Sequence, residues 1–359
     1  MTKRFMIIDG NALLHRAWHA LPPLTTQKGE VVNAVYGFTQ ILIRALKDLA
    51  PAYCVVAFDK KGPTFRHKQY EQYKATRVKQ PQELYDQIDR IKQMLAGFGI
   101  PIFEQEGFEA DDIIATIVVR VSREHPDIEP LIVTGDMDTL QLVDDRTRVY
   151  TLKKGIAETT IFDEDAVRER YDGLGPADLL LYKALRGDPS DNIPGVKGIG
   201  EKTAIELVKI FKTREGLLRA AKENDPAMKE KIRALLQEYA DDFAMSFDLV
   251  RLRYDVPVDF DIDVAQVGQP KINELVPLFQ ELGFKTLIPR LVGIGDDPSA
   301  ISIDKRDRRT ESYHLLDTDE KVDAFLASLA RVERFAVDTE TTSINALRAE
   351  LVGMSFSFE

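Results

Sequence analysis

The sequence predicts an α/β fold: a mostly parallel central sheet with helices on both faces, continued by a helical subdomain. Three observations carry that reading. Apolar runs at 5–8, 54–58, 100–103 and 131–134 have the length of buried strands. Between them, 34–49, 83–98 and 110–124 repeat apolar residues at helical spacing, and such alternation builds a parallel sheet through right-handed crossovers. After about residue 160 the pattern turns wholly helical, at 163–171, 176–186, 201–211, 214–222, 226–240 and 271–282.

The strand ends carry acids. Phe5 to Ile8 runs into Asp9, Cys54 to Phe58 into Asp59, and Leu131 to Val133 into TGDMD with Asp136 and Asp138. Glu109, Asp111 and Asp112 in GFEADD open the helix 110–124, where the macrodipole favours negative charge; one acid satisfies a cap, and three exceed it. Asp188 and Asp191 stand in GDPSDN, close enough to serve one metal or to cap the turn before Pro194. TGDMD is not a calcium loop, because Leu140 stands where an oxygen ligand is needed. Carboxyl ends of parallel strands converge on one crevice. Nine acids gathered there repel unless cations neutralise them, and hard oxygen donors select magnesium or manganese. A carboxylate cluster holding two metals is suited to in-line attack on a phosphodiester.

The segment 60–82 breaks the α/β rhythm. Seven Lys or Arg between Lys60 and Lys79 face one acid, Glu71, a local charge of +6, with Phe65, Tyr70 and Tyr73 among them. It reads as an excursion over the sheet mouth rather than a core element. Lys74 and Arg77, three apart, would share a helical face aimed at the crevice and stabilise charge on the scissile phosphate. Tyr73 is a candidate to stack a splayed base, with simple packing the alternative, and Arg16 and Arg66 are candidates to bind phosphate near the site. For Lys60, Lys61, Lys68 and Lys79 a solvated charged face is the alternative.

Downstream, GVKGIGEKTA resembles a helix–hairpin–helix at 195–204. Gly198 and Gly200 permit a tight turn whose amides point outward, and Lys197 and Lys202 add charge, a combination that binds phosphate without sequence preference. A plain packing turn is the alternative. The net charge of −11 argues against nucleic acid only if local clustering is ignored. Cys54, the single cysteine, excludes an internal disulfide or thiolate metal site and suits a reducing cytosol. Asp9 interrupts the N-terminal apolar stretch too early for a signal peptide, and no run approaches the ~20 residues of a membrane helix.

The expected organisation is an α/β nuclease core over 1–170 with a basic arch at 60–82, and a helical subdomain over 171–292. A polar linker over 293–310 and a tail over 311–359 follow, the tail with a helix near 317–332, a strand ending in VDTETT and a second strand at 351–358.

Taken in this order and spacing, the motifs resemble the 5′-nuclease domain of bacterial DNA polymerase I, within the flap endonuclease superfamily, over about residues 3–290. The resemblance implies a tighter metal position served by Asp9, Asp59, Glu109, Asp111 and Asp112, and a second by Asp136, Asp138, Asp188 and Asp191. It makes Lys74 and Arg77 the catalytic cations of a helical arch threaded by a single-stranded 5′ end. It also implies a hairpin that grips duplex, sometimes with a potassium ion. The tail resembles the start of a 3′–5′ exonuclease domain, with Asp338 and Glu340 matching its first acidic motif; the later acids of that site are missing, so a truncated fragment without proofreading or polymerase activity is expected. The activity implied is a magnesium-dependent 5′–3′ exonuclease and flap endonuclease with Asp111 among its catalytic acids. It would act as a cytoplasmic, nucleoid-associated monomer on DNA with a 5′ flap, a nick or an RNA primer. An RNA-preferring nuclease on a similar scaffold and a non-catalytic DNA-binding module are the rival readings.

Overall fold

The computed structural model describes residues 3–152, 159–294, 314–332, 334–342 and 350–358. The chain divides into two compact units, Met1–Ile301 and Ser302–Glu359. Most of the expected linker, from 295 onward, lies outside the described residues.

In the first unit, six strands form one sheet: β1 (Lys3–Asp9), β2 (Tyr53–Ala57), β3 (Ile102–Phe103), β4 (Ile128–Val133), β5 (Arg148–Leu152) and β6 (Thr159–Phe162). Their order is β3-β2-β1-β4-β5-β6, parallel throughout except for β6, which pairs antiparallel with β5. The chain builds outward from β1 to one side, then crosses back to place β4 on the other. That reversal leaves a crevice between the carboxyl ends of β1 and β4, where α/β sheets bind ligands.

Helices cover both faces. They are α1 (Gly10–Ala20), α2 (Asn33–Leu49), α3 (Phe65–Gln69), α4 (Gln82–Tyr85), α5 (Ile88–Gly97), α6 (Ala110–Glu124), α7 (Glu164–Arg170), α8 (Leu179–Arg186), α9 (Glu201–Phe211), α10 (Arg214–Lys222), α11 (Glu230–Glu238), α12 (Ala240–Val250) and α13 (Ile272–Glu281). β1 is apolar along its length because it serves two cores. Phe5 and Ile7 pack with α6 and the helices beyond it, while Met6 and Ile8 pack with α1, α2, α5 and α13.

The structure departs from the sequence reading where local signals are short. β5 and β6 went unmarked, since RVYTL and TTIF are brief and β6 lies at the sheet edge. The stretch 83–98 is two helices, parted at Gln87, whose side-chain oxygen accepts from Ala34 N and Val35 N at the start of α2. The stretch 226–240 holds α11 and stops at Tyr239, where α12 begins. Residues 71–76 form successive turns rather than a helix, with Lys74 at φ 57°. Among the described residues no helix is long and apolar enough to cross a membrane.

The second unit holds α14 (Asp319–Leu329) and an antiparallel pair, β7 (Phe335–Thr341) and β8 (Leu351–Phe358). Asp338 and Glu340 lie on one face of β7, opposite Ser355 and Gly353.

Candidate active site

The crevice at the switch point is a cleft of about 380 Å³, and Asp9, Asp59, Glu109, Asp111 and Asp136 line it together with Lys74, Arg77 and Arg16. Asp9 ends β1 and caps α1: its Oδ1 accepts from Ala12 N at 2.9 Å and its Oδ2 from Thr134 Oγ1 at 2.7 Å. Asp59, just past β2, accepts from Ala110 N at 2.7 Å, which ties the second strand end to the first turn of α6. Asp136 follows β4 and caps a short 3₁₀ turn through Asp138 N. Three strand ends therefore meet because the β1–β4 reversal places them side by side.

Asp9, Asp111 and Asp136 all hold their protons more tightly than ordinary carboxylates, with burial the largest cause in each. Burial pushes Asp9 up to about 7, with the charges of Asp136 and Asp59 adding to it. Burial, then the charges of Asp136 and Asp9, holds Asp111 well above the usual carboxylate range. Asp136 is also raised, by burial first, although Lys183 works against it. Asp111 Oδ1 is buried without a hydrogen-bond partner among the described residues. An orphaned carboxylate oxygen beside two other acids is the donor set that a hard divalent cation completes. No three acid or imidazole side chains among the described residues close round an ion by themselves. Protein cations meet several of the other acids instead.

Those cations divide the acids into groups. Lys74 Nζ bonds Glu109 Oε1 at 2.9 Å and lies 3.9 Å from Asp191 Oδ2. Arg77 bonds Asp191 through Nε at 3.1 Å and through Nη2. Burial alone would lower the Lys74 ammonium, but the charges of Glu109 and Asp191 outweigh it and hold it above its ordinary value. Lys183 of α8, buried on an otherwise apolar face, pairs with Asp138 and sits 3.6 Å from Asp188. For Asp188 burial is likewise outweighed, by hydrogen bonds from Ser190 and by Lys183, and its carboxyl is held low. The sequence reading missed Lys183. Its signal was a lone charge in Leu179–Leu185, a run apolar enough to be buried.

Three of the expected site residues are buried and engaged with other parts of the chain. Arg66 does not face phosphate: it is buried, donating to both oxygens of Asp112 and to Leu249 O and Arg251 O. Asp112 has no exposed surface, and Arg253 N and Glu109 N fill its remaining acceptor positions, so all four are taken within the protein. Tyr73 offers no stacking face. It is 4% exposed, and its hydroxyl lies 3.0 Å from Glu109 Oε2 and 3.1 Å from Asp191 Oδ2. Local charge and aromatic content suggested a solvent-facing segment; the acids beneath it drew these side chains inward.

The hairpin follows directly from the Asp188–Asp191 loop. Val196 and Ile199 are buried, whereas Lys197, Gly198, Gly200 and Lys202 are exposed. Gly198 takes φ 92°, which a side chain would strain, and α9 begins just past Gly200. At Gly195 a Cβ would lie 2.3 Å from Gly187 N, so only glycine lets α8 and the hairpin approach.

The profile of the 5′–3′ exonuclease N-terminal resolvase-like domain matches residues 4–172, and that of the 5′–3′ exonuclease C-terminal SAM fold matches 174–273. DNA polymerase I of Chloroflexus aurantiacus is 38% identical across 98% of this chain and 40% of its own length. DNA polymerase I of Bacillus subtilis is 39% identical across 84% of this chain and 33% of its own length. The chain thus spans well under half of the relatives it matches. Among solved structures, T5 5′-exonuclease with bound zinc superposes with TM-score 0.56 at 20% identity, covering 82% of this chain and 100% of that one. The catalytic core of Rad2 with a DNA substrate gives 0.53 at 19%, covering 82% and 93%. With both profiles matched in succession, the chain belongs to the 5′–3′ exonuclease family.

Proposed function

We propose that this chain is a metal-dependent 5′–3′ exonuclease and 5′-flap endonuclease that trims DNA carrying a 5′ flap, a nick or an RNA primer. The observation that carries the reading is the meeting of Asp9, Asp111 and Asp136 at the β1–β4 switch point, with Lys74 and Arg77 lining the same cleft. Acids that destabilise their own charges, one with an orphaned oxygen, fit a divalent cation; Asp9, Asp111 and Asp136 are the residues proposed to hold it, with Asp59 and Glu109 beside them. Two magnesium ions, for which manganese could substitute, would supply an activated water and charge stabilisation at the phosphodiester. Asp138, Asp188 and Asp191 are proposed for the second ion, once Lys183 and Arg77 release them.

The chain's own residues do the rest. Lys74 and Arg77, fully charged and able to reach the cleft, would exchange carboxylate for phosphate oxygens as charge builds on the scissile group. Lys197, Lys202 and the exposed amides at Gly198 and Gly200 would hold the duplex phosphates, a turn that could also accept potassium, and Arg16 would contact phosphate at the cleft rim. T5 5′-exonuclease with divalent metal and Rad2 with DNA support the same reading of cofactor and partner. A monomer in the cytoplasm, at the nucleoid, is the expected form.

The test is a 5′-labelled flap duplex incubated with the chain in magnesium or chelator, alongside Asp111→Asn. Cleavage near the junction only with magnesium, and duplex binding without cleavage in the variant, is expected. Binding with no metal-dependent hydrolysis in either protein would leave a DNA-binding module, and a preference for all-RNA substrates would leave a ribonuclease.

A further inference from the structure

We propose that Asn192, which nothing in the catalytic reading uses, is the positioning residue that holds Lys74 and Arg77 at the acids. The inference rests on the nuclease reading above. Residues 71–76 are successive turns whose internal backbone bonds are few: Tyr73 N to Tyr70 O at 2.9 Å, Ala75 N to Gln72 O at 3.1 Å and Arg77 N to Lys74 O at 3.0 Å. Such a segment does not fix its own shape. Two bonds from a loop more than a hundred residues away in sequence do. Asn192 Nδ2 donates to Gln72 O at 2.7 Å, and Lys74 N donates to Asp191 O at 2.9 Å. The peptides on either side of Tyr73 are thereby clamped to the Asp188–Asn192 loop. Lys74 is held at φ 57°, a left-handed conformation that a lysine adopts only when its surroundings impose it.

Asn192 itself sits at φ 57°. Asparagine tolerates that region better than most side chains, and its amide supplies the donor that glycine, the other residue suited there, lacks. The residue also lies between Asp191 and the hairpin at 195–204, so one short loop connects an acid of the site, the arch cations and the proposed duplex grip. Losing the Asn192 bond leaves the segment held by Lys74 N to Asp191 O and by the side-chain bonds of Tyr73, Lys74 and Arg77 to Glu109 and Asp191, and phosphate must replace those of the two cations during the reaction.

The test is Asn192→Gly, which keeps the backbone conformation accessible and removes only the amide, and Asn192→Asp, which keeps the shape and turns the donor into an acceptor. In single turnover on the flap duplex each should lower the cleavage rate by about tenfold or more, because misplacing a charge-stabilising group acts on the chemical step. Duplex affinity should change by less than about twofold, since the hairpin phosphate contacts are untouched. In a Lys74→Ala, Arg77→Ala background, Asn192→Gly should have almost no further effect on rate. Without DNA, trypsin should cut after Lys74 and Arg77 faster in Asn192→Gly than in the parent chain, a readout independent of activity. If the parent chain cleaves flaps but Asn192→Gly matches it in rate and proteolysis, or if its loss is undiminished in the double-variant background, the proposal is overturned. A parent chain that cleaves nothing, with faster proteolysis in the variant, instead overturns the nuclease reading and leaves the clamp standing.

Discussion

Arg66 and Asp112 face each other end to end, Nη1 to Oδ2 at 2.6 Å and Nη2 to Oδ1 at 2.9 Å, both side chains nearly without solvent contact. The pair joins α3 to α6, and Arg66 continues to the carbonyls of Leu249 and Arg251 at the end of α12. A basic segment and the helical subdomain are thus fastened to the sheet through one guanidinium. Arg66→Met should cost about 3–5 kcal/mol in denaturant unfolding, since it strands a buried carboxylate, and Arg66→Met with Asp112→Asn should recover part of that loss. A single variant as stable as the parent would show that the pair carries no structural load.

The acids make the metal-free fold sensitive to pH. Asp9 is raised from an ordinary value of 3.8 to about 7, so between those values the unfolded chain has lost a proton that the folded chain keeps. Stability without metal should therefore fall by a few kcal/mol as pH rises from about 4 to 7, then level off, with Asp111 adding in the same direction. Magnesium favours the ionised form, so it should raise the melting temperature more at pH 8 than at pH 5. Equal increments at the two pH values would separate the cluster from metal binding.

Lys74→Ala and Arg77→Ala should each slow single-turnover cleavage by roughly a hundredfold, with duplex affinity little changed, as expected for a contact that strengthens in the transition state. Weakened flap binding at an unchanged rate would make them ordinary phosphate contacts.

Lys183→Met should lower metal-free stability by roughly 1–3 kcal/mol, a moderate loss because Asp138 and Asp188 keep some solvent contact. Magnesium should then restore more of the melting temperature than it adds to the parent chain, because two freed carboxylates become available to it. A loss that magnesium does not repair would place Lys183 outside the metal-responsive part of the site.

Lys197→Ala with Lys202→Ala should weaken binding to any duplex regardless of sequence. Each lost phosphate contact should flatten the log–log salt dependence by about 0.9. Unchanged affinity and slope would leave the hairpin a packing turn.

Much of this molecule is written in short sequence. Phe5–Ile8 and Leu131–Val133 announce buried parallel strands because each must feed cores on both faces, and α6 and α9 follow the expected 110–124 and 201–211 almost residue for residue. The acids at strand ends and helix starts are legible for the same reason: backbone direction alone sends them toward one crevice. What the sequence leaves open is pairing. Whether Arg66 meets phosphate or Asp112, whether Tyr73 stacks or bridges Glu109 and Asp191, and that Lys183 compensates Asp138 depend on residues 36 to 118 positions apart. Local charge density predicts solvent exposure for such a segment, but carboxylates beneath it reverse that outcome, and only the tertiary structure brings the two together.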